Sequence, residues 1–153
     1  GSTLLKELRA GIEAHDDPVD CLREMVFRQV CLIKDKRKEI KIYMEEQYQL
    51  STVLRTRALQ QHRQVYDLYY SMICRIKERG LIRDIDETVM TFAVFAMMNW
   101  SYRWFEDKGR LSIEKVAEDI IRIFFGGIFK EGALEKNKIA THNIHKSSSG
   151  FKK

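Results

Sequence analysis

Between Ile85 and Asp107 the sequence IDETVMTFAVFAMMNWSYRWFED carries apolar residues around every side of a helix. One stripe at helical spacing holds Val89, Phe92, Ala96, Asn99 and Arg103. A second holds Thr91, Phe95, Met98, Tyr102 and Phe105, and a third holds Met90, Val94, Met97, Ser101 and Trp104. A surface helix needs only one such stripe, so this helix must be covered on all sides. Its neighbours in the same chain can cover it, or a second subunit can.

The neighbouring sequence is helical as well. No segment alternates at period two, and one proline with eight glycines leaves little for the turns of an all-β fold. A first helix is expected from about Thr3 to His15, with Leu4, Leu5, Leu8 and Ile12 on one face. Asp17 and Pro18 read as the N-cap and first residue of a second helix, which ends in the charged run KDKRKE. A short third helix carries Ile40, Tyr43, Met44, Gln47 and Tyr48. Ser51 or Thr52 opens a long fourth helix that Gly80 stops. Asp84 and Glu87 have capping-box spacing for the fifth, and Ser112 caps a sixth that ends at Gly126-Gly127. The fold class is therefore all-α, with six helices.

Ile113, Val116, Ala117, Ile120, Ile121, Phe124 and Ile128 follow i, i+3, i+4, i+7 spacing in the sixth helix. Two consecutive helices with surplus apolar surface suit a four-helix interface made by two subunits. The residues assigned to it are Phe95, Met98, Tyr102, Ile113, Val116, Ile120 and Phe124.

Charge argues against direct reading of nucleic acid. Residues 134–153 hold five lysines and one glutamate, which leaves only +1 of the net +5 for residues 1–133. Residues 1–133 are expected to form one domain, and residues 134–153 a polar, basic, mobile tail. Cys21, Cys31 and Cys74 make no CxxC and lie in apolar helical patterns, as reduced thiols of a cytoplasmic protein do. The longest uncharged run, Thr88 to Tyr102, is 15 residues, too short to span a bilayer. No catalytic motif is present, and His142 with His145 has no third ligand at useful spacing, so neither an enzyme nor a cofactor or metal site is expected.

A binding site is expected instead. The face Arg55, Leu59, His62, Tyr66, Tyr69, Ile73 mixes aromatic and polar groups, as pocket walls do. Met44, Gln47 and Tyr48 add adaptable side chains. Asn99 and Arg103 lie one turn apart on the face that also holds Phe92, and a buried amide needs a partner. The candidate ligand-binding residues are Met44, Gln47, Tyr48, Arg55, His62, Tyr66, Tyr69, Phe92, Asn99 and Arg103.

The stretch GLIRDIDETVMTFAVFAMMNWSYRWFEDKGRLSIEKVAEDIIRIFFGGI, Gly80 to Ile128, resembles the last two helices of TetR-type transcriptional regulators. DDPVDCLREMV and YQLSTVLRTRALQQHRQVYDLYY resemble the ligand-domain helices of the branch that includes regulators of fatty-acid degradation. The resemblance implies a homodimeric regulatory domain that holds an apolar small-molecule effector such as a fatty acyl-CoA. Arg55, His62 or Arg103 would meet its carboxylate, thioester or phosphate. It also implies that DNA is reached only through a helix-turn-helix domain, which this sequence lacks, and that no membrane is involved. The alternative is a helical protein-interaction module with no small-molecule ligand.

Overall fold

A computed structural model describes residues 2–46, 51–128 and 130–131. The order of elements is α1 Ser2–Glu13, α2 Pro18–Glu46, α3 Thr52–Glu78, α4 Glu87–Trp104 and α5 Ile113–Ile128. The described residues thus form five helices where six were expected. The second and third expected helices are one rod, bent at Lys36 (φ −115°, ψ 15°). KDKRKE contains neither proline nor glycine, so the charged run bends the helix without ending it.

The ends of the helices follow local chemistry. Val19 N–H donates to Asp17 Oδ1 at 2.7 Å, the N-cap of α2. The other oxygen of Asp17 pairs with Arg79 at 3.2 Å, which ties the start of α2 to the end of α3. Gly80 has φ 72°, the left-handed conformation a glycine adopts freely just past a helix. The cap of α4 is Asp86 and not Asp84: Asp86 Oδ1 accepts from Thr88 N–H at 2.8 Å and Val89 N–H at 3.2 Å. Asp84 sits 3.9 Å from Lys77, which also pairs with Glu87 at 3.1 Å. Ser112 Oγ accepts from Lys115 N–H at the start of α5. That helix runs through Gly126-Gly127 to Ile128, which is buried.

Helix α2 packs against all four others. Its Leu22, Met25, Val26 and Val30 meet Leu8 of α1, Tyr69, Ile73 and Ile76 of α3, Val94 and Met98 of α4, and the inner face of α5 in one core cluster. The buried hydroxyls of Thr91 and Ser101 on α4 are satisfied within the helix: Thr91 donates to the Glu87 carbonyl and Ser101 to the Met97 carbonyl.

The core settles which sides of α4 and α5 are covered. Met98, Tyr102, Ile113, Val116, Ile120 and Phe124 are buried within the chain, and Phe95 is half-buried against the core. The outward stripe of α4 is Val89, Phe92, Ala96, Trp100 and Trp104, with Phe92 and Trp100 59% and 60% exposed. Among the described residues no helix is long and apolar enough to cross a membrane.

Candidate functional site

Past the bend at Lys36, the second limb of α2 rests Ile40 and Met44 against the core and meets the limb of α3 at Tyr43 and His62. The space between these limbs, α4 and the start of α1 is a cavity of about 480 Å³, within the size range of small-molecule sites. One face of α2 supplies much of its wall at helical spacing: Gln29, Ile33, Lys36, Ile40 and Tyr43. Val65, Phe95 and Met98 close it on the α3 and α4 side, and Thr3 and Leu4 of α1 reach it from the other.

Its polar groups are few and mostly neutral. Gln29, Gln61, His62 and Asn99 are the amides and imidazole on the wall. The charged groups are Lys36 and Glu39, 3.8 Å apart. The Tyr43 and His62 rings lie 5.0 Å apart at 50° and join the two limbs. Desolvation holds His62 below its usual value near 6.5, although the residue as a whole keeps substantial solvent exposure. Burial raises the Tyr43 phenol in the same way. Behind the wall, the fully buried Tyr69 hydroxyl donates to Gln29 Oε1 at 3.1 Å and lies 3.6 Å from Met98 Sδ. Tyr69 packs edge-on to Phe95 at 5.1 Å, which fixes both rings.

Of the residues selected from sequence, Met44, His62 and Asn99 line the cavity. Tyr69 lies behind the wall, against Gln29, Phe95 and Met98. Tyr66 stacks outside with Tyr70 and Phe92. Arg55 is exposed on the first turn of α3. Arg103 turns away from Asn99: it lies over the Trp100 ring at 4.8 Å, bonds to the Tyr102 hydroxyl at 3.1 Å and pairs with Glu45 at 3.7 Å. Gln47 and Tyr48 lie outside the described residues, as does the tail from 134 onward with His142 and His145. The α2 wall was not selected from sequence. Its signal was an amide, Gln29, set among Met25, Val26, Val30 and Ile33.

Among the described residues no group of three or more His, Cys, Asp or Glu could hold a metal ion. The three cysteines are free, Cys21 buried and Cys31 and Cys74 half-buried. A second, shallower hollow contains Arg28, but Glu7 and Glu24 already bind its guanidinium at 2.9 and 2.7 Å. The chemistry available is recognition of a mostly apolar molecule by enclosure and a few hydrogen bonds.

Residues 15–128 match the family described as tetracyclin repressor-like, C-terminal domain. Comparison with curated proteins gives no match. Among solved structures, the fold is similar to the ketosteroid transcriptional regulator KstR2 of Mycobacterium tuberculosis, with TM-score 0.79 and 22% identity over 84% of this chain. The match takes in 66% of that regulator, just under two thirds of its length. PfmR of Thermus thermophilus, a TetR family transcriptional regulator, is similar at TM-score 0.72 and 24% identity, over 81% of this chain and 70% of that one. AibR, solved in complex with isovaleryl coenzyme A and operator DNA, is similar at TM-score 0.66 and 25% identity, over 80% and 72%.

Proposed function

The chain belongs to the tetracyclin repressor-like C-terminal domain family, and we propose from that premise that it is the effector-sensing, dimerising domain of a TetR-type repressor. The observation that carries the reading is the cavity between α1, α2, α3 and α4, with its apolar wall and few polar groups. Its effector is an apolar molecule such as a fatty acyl-CoA. The AibR complex holds a branched acyl-CoA on a similar fold. DNA is reached in this reading through a helix-turn-helix unit outside these residues.

Two features connect the cavity with an output. Helix α4 faces it with Phe95, Met98 and Asn99 and faces outward with Phe92 and Trp100. The outward stripe is the surface that a second copy would cover, since an exposed apolar row of this kind marks an interface. Thr3 and Leu4, at the start of α1, also touch the cavity. In this reading α1 leads toward the DNA-reading unit, so an occupant presses on both the dimer helix and the linking helix. A ligand that fits one spacing of two recognition helices better than another shifts the dimer toward that spacing.

The test is calorimetric titration of the chain with acyl-CoAs of increasing length. Saturable uptake of one molecule per chain is expected, and Ile40→Trp, which fills the cavity, abolishes it. Failure of every acyl-CoA to bind, or binding unaffected by Ile40→Trp, overturns the effector class or the site.

A further inference from the structure

The polar groups of the cavity narrow what enters it. The cation on its described wall, Lys36, has Glu39 at 3.8 Å. The adjacent Arg37 points elsewhere, with Nε on the Tyr102 carbonyl at 2.9 Å. Arg103 is turned outward onto Trp100. A carboxylate drawn into this space would lose water without meeting a cation that lacks an acidic partner. Neutral donors are available instead. The Oε1 of Gln29 is engaged by the Tyr69 hydroxyl, which leaves the amide NH₂ for an occupant. Asn99 lines the same wall from α4, and its amide makes no hydrogen bond among the described residues.

We infer that the cavity accepts the uncharged carbonyl end of a predominantly apolar ligand, with Gln29 and Asn99 as its hydrogen-bond donors, and that it rejects the free carboxylate of the same chain length. The inference rests on the sensor reading and narrows it. A thioester and a ketone present the same carbonyl chemistry. With a thioester, the phosphates of coenzyme A stay outside the wall described. A free fatty acid is excluded, although its apolar chain is the same.

Calorimetry on the whole chain at pH 8 tests this with 2-undecanone, decanoic acid and decanoyl-CoA, which share an apolar chain. The ketone and the thioester are expected to bind, and the ionised acid at least about tenfold more weakly. Tighter binding of decanoyl-CoA than of the ketone identifies a thioester as the source of the carbonyl, and the reverse order a ketone. Asn99→Leu, which keeps the side-chain volume and breaks no internal bond, is expected to weaken the ketone about tenfold. Gln29→Glu keeps an acceptor for Tyr69 and removes the donor, with the same expected loss. Circular dichroism confirms that each variant is folded. Equal or tighter binding of decanoate overturns the inference and leaves the sensor reading standing, as does ketone affinity unchanged in both folded variants. No uptake of any of the three probes removes the sensor reading and the inference together.

Discussion

Arg37 and Tyr102 join the bend of α2 to the end of α4. The Arg37 Nε donates to the Tyr102 carbonyl at 2.9 Å, and its Nη2 lies 3.4 Å from the Arg103 carbonyl. Both carbonyls belong to the last turn of α4, where no helical N–H reaches them and a cation meets the negative end of the helix dipole. The residue before Arg37 is the bend itself, and it lines the cavity.

Arg37→Ala is therefore expected to lower stability by about 1–2 kcal/mol, since it leaves two terminal carbonyls without their charged donor. Chemical denaturation measures it. An Arg37→Lys variant recovers part of the loss, because an ammonium supplies the charge but not the two-pronged geometry.

Tyr69→Phe removes the hydroxyl that holds Gln29 from behind. A loss of about 1 kcal/mol is expected, the ordinary cost of leaving a partly buried acceptor unpaired. Because Gln29 is then free to turn, ketone affinity should fall as well, in the same titration that reads Gln29→Glu.

Much of this frame could be read from the chain and part could not. Pro18 after Asp17, and Gly80 after a long amphipathic run, marked helix ends because each has a backbone preference that neighbours do not override. Asp84 and Asp86 are equivalent as sequence, since either can cap. Asp86 caps because the helix begins at the next residue, Glu87, which puts the N–H groups of Thr88 and Val89 within its reach. Periodicity placed Asn99 and Arg103 on one face but could not say that Arg103 would fold back onto Trp100. It also could not say which side of α4 the chain itself would cover. With three apolar stripes, that depends on how α2 and α5 approach, and they took the sides of Met98 and Tyr102 and left Phe92 and Trp100 outside. The Gln29 wall went unselected because a single amide in a core stripe has no local signature of a cavity.

Acid should expose the role of Asp86. The N–H groups of Val89, first, and Thr88 hold its carboxyl below the usual 3.8. A depressed folded pKa means that the cap stabilises the protein above the unfolded value, and that this contribution is lost as pH falls through the folded one. Asp86→Ala is expected to melt at a lower temperature than the parent at pH 7. The gap should close as pH falls below about 3.8. A gap that persists at the lowest pH where both remain folded would assign the effect to helix propensity instead.

Cys31 should be a poor nucleophile. Burial pushes its thiol up to about 11, so at pH 8 roughly one molecule in a thousand carries the reactive thiolate. Iodoacetamide labelling at pH 8, read by peptide mass spectrometry, should be slow at Cys31 and should accelerate steeply toward pH 11 or on unfolding. Fast labelling at pH 8 would place the residue in a more open setting than its half-buried position beside α1.

The exposed row on α4 can be tested without any ligand. Trp100→Glu puts a charge at the centre of the outward stripe and touches none of the core, so helical content should be unchanged while self-association is lost. A parent chain that sediments as a monomer, or a variant that dimerises as the parent does, would remove α4 from the interface.

Native mass spectrometry of the purified chain tests the central claim most directly, since it reads assembly and occupancy in one spectrum. A sensor domain of this kind predicts a dimer that takes up one decanoyl-CoA per chain, with uptake abolished by Ile40→Trp. A monomer that takes up no apolar ligand would contradict the account on both counts.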